Sequence, residues 1–485
     1  MGYNNGALRT PNLDRLAAQG TIYDRAYCPN PTCSPTRSSI ITGLYPSQHG
    51  CYSLGTKLPE ETPTIGERFQ RGGYRTSLIG KAHFQPLKST PEFSSLEAYP
   101  FLQDLDYWKT FHGPFYGFEH VELCRNHADE AHVGQHYALW MEEKGFTQWR
   151  DYFRKPTGTR DEQRWKWDLL EEFHYNTWIA ERTNARLSEH RKKNEPFFLW
   201  ASFFDPHPPY LIPEPWDTLY DPESIQVPHA MPGEHDHNPL PLRMTQMQNP
   251  DFSSYHDVPD GNHVHGYHSH LEGQKTLQKD IAVYYGMITC LDKYIGKILD
   301  GLDELGLAEN TLVVFTTDHG HFFGQHGLVA KLPFHYEDVV KVPFVVRWPG
   351  KATPGRRSQA MQSLVDLAPT FLAAAGVSTI RGMTGIDQSK VWAGEVESAR
   401  QHVIVENHHQ PRTINVLTYV DQRYKISVHL GTEEGELYDL QEDAGEIRNL
   451  WDEPLAKDLK LSLLQNLIQA DLARARVWMP RIAGA

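Results

Sequence analysis

The sequence predicts an α/β fold: a large, mainly parallel sheet flanked by helices, followed by a smaller α+β domain. Two observations carry this. Short, almost uninterrupted apolar runs alternate with helical patterns, as they do when strands are buried on both faces. Several of those runs also end in His, Lys or Asp, and open α/β sheets bind ligands beyond the carboxyl ends of their strands.

The elements follow in order. TPNLDRLAAQG (Thr10–Gly20) reads as a helix, with Thr10 to cap it, Pro11 in its first turn and Leu13, Leu16 and Ala17 on one face. Gly20 stops it. Arg75–Gly80 is a strand candidate that runs into Lys81 and His83. Pro196–Phe204 runs into Asp205 and His207, and Thr311–Thr317 into Asp318 and His319. Val342–Trp348 ends at Pro349-Gly350. Helical patterns occupy Lys279–Leu305 and Ser363–Ala375. Loops are polar everywhere, so one such strand end means little. The same restricted residue set at three ends points to one site.

Two stretches depart from this rhythm. Residues 101–175 are rich in aromatics, including Trp108, Phe111, Phe115, Tyr116, Trp140, Trp149, Trp165 and Trp167. They read either as a wall over the sheet or as extra structure with its own small core. Residues 229–270 are loop-like and hold His235, His237, His256, His263, His265 and His268. The irregular histidine spacing favours a lid over a dedicated metal site. From about Thr379 short β-like runs appear at Val403–Val405, Val416–Val420 and Tyr424–Val428, and a final helix spans Pro454–Ala475. The expected division is a catalytic domain over 1–378, with 101–175 and 229–270 as insertions or lids, and an α+β subdomain over 379–485.

Bulk properties narrow the function. Among 485 residues, Lys and Arg number 47 and Asp and Glu 61, a formal charge of −14. That balance argues against a nucleic-acid partner, which needs clustered cations. Local cations can still hold a small anion. Five cysteines, an odd and sparse set, form neither a disulfide framework nor a zinc-type pair. No apolar run reaches membrane-span length, and no membrane partner is expected. The first residues lack a basic start and an apolar signal core, so the chain is expected to be cytoplasmic if Met1 is the true start.

One motif then orders the rest. CSPTRSSIITGLYPSQHG (Cys33–Gly50) contains Cys-x-Pro-x-Arg followed by Thr42-Gly43. This resembles the signature of type I, formylglycine-dependent sulfatases of the alkaline phosphatase-like superfamily. TPNLDRLAAQG, GKAHF (Gly80–Phe84), DPHPPY (Asp205–Tyr210), TTDHGHFFGQHGL (Thr316–Leu328), KLPFHYEDVVKVPFVVRWPG (Lys331–Gly350) and GELYDLQEDAGEIRNL (Gly435–Leu450) resemble further family segments in the family's order. The resemblance implies an alkaline phosphatase-like fold and a sulfuric ester hydrolase acting on an aryl or carbohydrate sulfate ester. It implies that a maturation enzyme converts Cys33 to formylglycine. One hydroxyl of the aldehyde hydrate attacks sulfur; loss of the other's proton expels sulfate and restores the aldehyde. It places Arg37 beside the hydrate, and Lys81, His83, His207 and Lys331 around the sulfate oxygens or the nucleophile. His207 is the first choice for general acid. Asp318, His319 and position 33 become ligands of a divalent metal, calcium first. His319 stands where many members have Asn, and imidazole suits manganese or zinc better. The same Asp-His pair occurs in phosphonate monoester and phosphodiester hydrolases of the superfamily, the alternative activity.

The resemblance also implies something missing. The family begins with an apolar strand ending in acidic metal ligands, and the match here begins after it. Met1 is therefore expected to be an internal methionine, and a chain that ended there would be a catalytically impaired, truncated sulfatase. The absent strand is central in the family's sheet, so a groove with exposed strand edges is expected in the core. Asp205 and Asp24 are the remaining carboxylates considered for the metal. Oligomeric state is left open by the sequence.

Overall fold

The computed structural model describes residues 1–126, 132–153, 165–256, 266–331, 333–479 and 481–482. His263 and His265 of the expected lid lie outside the described residues.

The first helix, α1 (Pro11–Gln19), buries Leu13, Leu16 and Ala17. They meet Leu291, Ile295 and Leu299 of a long helix, Gln274–Glu304. Thr10 does not cap α1 as expected. Its hydroxyl instead donates to Asp14 at 3.1 Å and accepts from the Gly2 amide at 2.6 Å. The orphan amides at the helix start go to Asp292 of the long helix, with Asn12 and Leu13 donating at 3.1 and 2.7 Å. A tertiary contact has replaced a local one.

Strand β1 (Thr21–Tyr23) follows, then helix α2 (Cys33–Thr42), all ten residues of which are buried. Several of its polar side chains find partners inside. Thr36 donates to the Asn30 carbonyl at 2.6 Å, and Ser39 meets His49 Nε2 at 3.0 Å. Gly43 ends the helix at φ 66°, a left-handed conformation suited to glycine.

Strands β2 (Arg75–Gly80), β3 (His120–Leu123) and β4 (Phe197–Ser202) form one parallel sheet in the order β3-β2-β4. Strands β5 (Val313–Thr316), β6 (Phe344–Arg347) and β7 (Arg356–Ser358) join β1 in a second sheet ordered β7-β1-β6-β5. There β6 runs antiparallel to both β1 and β5. Parallel pairing thus dominates one sheet, while β6 reverses the other. The two sheets end at β4 and β5, whose apolar side chains are only half-buried. Both edges line one cavity of about 1190 Å³.

The aromatic stretch has its own core. Tyr137, Trp140, Trp149, Phe153 and Trp167 pack with Tyr175 and Trp178 of helix α3 (Tyr175–Lys193), beside Ile79 of β2. Trp108 joins the main core instead. Residues 403–439 form an antiparallel sheet, β8 (Val403–Gln410), β9 (Ile414–Val420), β10 (Tyr424–His429) and β11 (Gly435–Asp439) in sequential order. Helix α4 (Lys457–Ala473) packs on it through Leu463, Leu467 and Ala470. Among the described residues, no helix is long and apolar enough to cross a membrane.

Candidate active site

Cys33 occupies the first position of α2 and is 1% exposed. The start of a helix favours negative charge there. The turn after β5 brings Asp318 and His319 to it, and the strand pair beyond brings Lys331. Lys331 Nζ donates to the Cys33 Sγ at 2.7 Å and lies 3.3 Å from His319 Nε2. His319 Nε2 is 3.2 Å from the same sulfur. Its Nδ1 donates to the Gly320 carbonyl at 2.8 Å, which leaves Nε2 facing the site.

Cys33, Asp318 and His319 each offer one ligand atom, and these lie within 4.8 Å of one another. Among the described residues this is the one group of three or more such donors. It fits three positions around a divalent cation, with an imidazole already anchored through its second nitrogen. The other candidate carboxylates are spent elsewhere. Asp205 accepts from Tyr175 and, at 2.6 Å, from Asn176, while Asp24 pairs with Arg357 and Gln359. Two described histidines of 229–270 are engaged in holding backbone. His235 bonds the His326 carbonyl at 2.8 Å, and His270 accepts from the Val329 amide at 3.0 Å.

Arg37 is buried on the other side of Asp318, at 3.7 Å from its carboxylate. Its Nε donates to the Ala82 carbonyl at 2.8 Å, its Nη2 donates to the Lys81 carbonyl and Ser202 hydroxyl, and its guanidinium lies over Trp200. It therefore ties α2 to the ends of β2 and β4, a structural task the motif did not reveal. Lys81, His207, Asp318, His319, Lys331 and Arg37 all line the central cavity. His83, at a left-handed φ of 60°, and His207 both interact with the Cys33 thiol.

The electrostatics follow from crowding cations around one buried group. Burial alone would push the Cys33 thiol up, but Lys331, Lys81 and His319, with a hydrogen bond to His207, hold it well below the usual thiol range. Burial lowers Lys81 to about 8 against the pull of Cys33 and Asp318. Burial, with Arg125 for His83 and the two lysines for His207, pushes both imidazoles well below the ordinary histidine value. This is a pocket built to receive an anion.

Sequence reasoning missed Arg125 and Asn126 at the end of β3, and Glu97. Asn126 Nδ2 lies 3.3 Å from His207 Nδ1. Arg125 reaches Glu97 and the Gln85 carbonyl. The polar end of VELCRN was a usable signal for the first two. Nothing around Glu97 marks it.

Cys33 at the start of a buried helix thus meets cations and a carboxylate–imidazole pair from neighbouring strand ends, on an α/β fold of the alkaline phosphatase-like kind. The solved structures agree in fold. A phosphonate monoester hydrolase from Silicibacter pomeroyi superposes with a TM-score of 0.78 at 23% identity, covering 97% of this chain and 91% of that one. A 2-O GAG sulfatase superposes with a TM-score of 0.68 at 21% identity, covering 96% and 87%. The sulfatase family model matches residues 1–377, and one described as N-sulphoglucosamine sulphohydrolase, C-terminal, matches residues 324–473. The chain belongs to the sulfatase family and is a sulfuric ester hydrolase. An arylsulfatase of Clostridium perfringens is 27% identical over 93% of this chain and 87% of its own length. An N-acetylglucosamine-6-O-sulfatase of Bacteroides thetaiotaomicron is 25% identical over 93% and 79%.

Proposed function

We propose that this sulfatase cleaves a small-molecule sulfate monoester, aryl or carbohydrate, at position 33 after its maturation to formylglycine. One observation carries this: Lys331 and His319 converge within 3.2 Å of the Cys33 sulfur, at the start of a buried helix. A hydrated aldehyde supplies an oxygen nucleophile there, with a second hydroxyl to release the product. Asp318, His319 and position 33 would hold a divalent cation, which supplies charge stabilisation for sulfuryl oxygens. Calcium is the first choice and manganese or zinc the alternatives, since one carboxylate and one imidazole are a lean set for a cation that takes six or more oxygens.

The residues divide the remaining work. Lys81 and Lys331 meet the negative charge of the ester and its transition state. Arg37 holds the ends of β2 and β4 against α2 and balances Asp318. His83 orients the nucleophile side. His207 is the general acid. It is neutral while the two lysines stand uncompensated, and an arriving anionic ester offsets them, which lets the imidazole take up the proton it delivers to the leaving oxygen.

Co-expression with a formylglycine-generating enzyme, followed by hydrazide capture and mass spectrometry of the peptide spanning Cys33, tests the reading. Capture of an aldehyde at position 33, with turnover of 4-nitrophenyl sulfate that depends on it, supports it. Turnover by protein whose Cys33 remains a thiol would defeat it. The Asp318-His319 pair favours one second reading, a phosphonate monoester or phosphodiester hydrolase on the same scaffold.

A further inference from the structure

The loop that carries His83 is held by a carboxylate that nothing in the motif assigns. Glu97 is 1% exposed. Its Oε1 accepts from the His83 amide at 2.8 Å, and its Oε2 accepts from the Phe84 and Gln85 amides, each at 2.9 Å. Three successive N–H groups converging on one anion make a nest, here filled from within the chain. Arg125, also buried, sits 3.4 Å from Glu97 Oε1 and donates to the Gln85 carbonyl, so it balances the charge and closes the loop. The Glu97 segment is itself fixed: Leu96 donates to the Gln85 side chain at 2.7 Å, and Ser95 donates to the Pro86 carbonyl at 2.7 Å. His83 adopts φ 60°, a conformation that a non-glycine residue keeps only when its surroundings impose it. From the other side, Ala82 is held by Arg37 through its carbonyl.

We infer that Glu97, with Arg125, is a positioning residue for catalysis: it clamps the backbone of residues 83–85 so that the His83 imidazole is presented to position 33. The inference rests on the sulfatase reading above, in which His83 acts on the nucleophile side. Glu97 does not touch the reacting atoms. It acts through His83 alone, and that is a testable statement about coupling.

The test is a double-mutant cycle on the full, matured chain with 4-nitrophenyl sulfate as substrate. Misplacing a catalytic group by about 1 Å can cost on the order of 100-fold in rate. Glu97→Gln, which keeps one acceptor for the nest, is expected to lower kcat about 10- to 100-fold with little change in KM. Glu97→Ala is expected to lose more. In a His83→Ala background Glu97→Gln should cost nothing further, because the group it positions is gone. If Glu97→Gln does not fold, Arg125→Lys, which keeps the charge but releases the Gln85 carbonyl, is taken through the same cycle. Costs that multiply in the double variant, or an unimpaired Glu97→Gln, would overturn the inference. His83→Ala separates the two claims: full activity of that variant removes the reading of His83 and the inference with it. An impaired His83→Ala with multiplying costs removes the inference alone.

Discussion

A buried thiol should be hard to ionise, yet Cys33 sits at the start of a helix beside Lys331 and Lys81, and their charges outweigh its burial. In unmatured protein, Cys33 is therefore expected to titrate well below the other cysteines, three of which burial pushes to about 11 or higher. Following thiolate absorbance against pH checks this, and Lys331→Met should move the lowest titration upward. In matured enzyme the same substitution is expected to lower kcat on 4-nitrophenyl sulfate by roughly 100-fold, the scale of one lost charge-stabilising donor. Much of this was legible, because strand ends and a dense motif announce themselves along the chain. Glu97 was not. A lone glutamate in SSLEAYP looks solvated, and only the fold shows it facing the amides of residues 83–85.

Elements show the same division. The strands at 75–80, 197–202, 313–316 and 344–347 were readable from continuous apolar runs. The reversal of the last was not, since an apolar run buried on both faces carries no direction. The strand Gly435–Asp439 was hidden because its sequence, GELYD, is mostly polar. The capping of α1 by Asp292 is a contact between residues almost three hundred positions apart and leaves no local trace. The loop leading to Lys331 is held by His326, which pairs with Glu234 and lies 3.4 Å from Asp338, its ring stacked on Tyr336. Burial opposes its charge, but Asp338 and Glu234 outweigh it and raise the imidazole from 6.5 to about 9. The folded value lies above the unfolded one. The stabilisation is thus complete below about 6.5 and is lost as pH rises through about 9, on the order of 3 kcal/mol in all. Thermal melts from pH 6 to 10 should show that loss, and His326→Asn should flatten it. In the aromatic insertion, Trp149→Ala is expected to cost about 3–5 kcal/mol, measured by urea unfolding, because Trp149 is fully buried in that region's own core.

At the scale of the molecule, buried ion pairs join the antiparallel sheet to the helices and loops of the site. Glu406 of β8 accepts from the Ser47 amide just after α2 and pairs with Arg474 beyond α4. Lys425 of β10 pairs with Glu446 and lies 3.5 Å from Glu337, which follows the Lys331 loop. Burial opposes the Glu406 charge, but His408, Arg474 and the Ser47 amide hold its carboxyl down at about 2. This pair contributes above about 4.5 and is lost as pH falls toward about 2. Arg474→Leu, which strands a buried carboxylate, is expected to destabilise the whole chain by about 3–5 kcal/mol in denaturant titration.

In the proposed reaction this molecule transfers a sulfuryl group at position 33. The most direct measurement is kcat/KM of matured, calcium-supplied protein on 4-nitrophenyl sulfate beside 4-nitrophenyl phenylphosphonate, for the native chain and for Cys33→Ala. The expected result is preference for the sulfate and a loss of at least about 1000-fold in Cys33→Ala, with its melting temperature unchanged. Preference for the phosphonate, or sulfate turnover that survives Cys33→Ala, would contradict it.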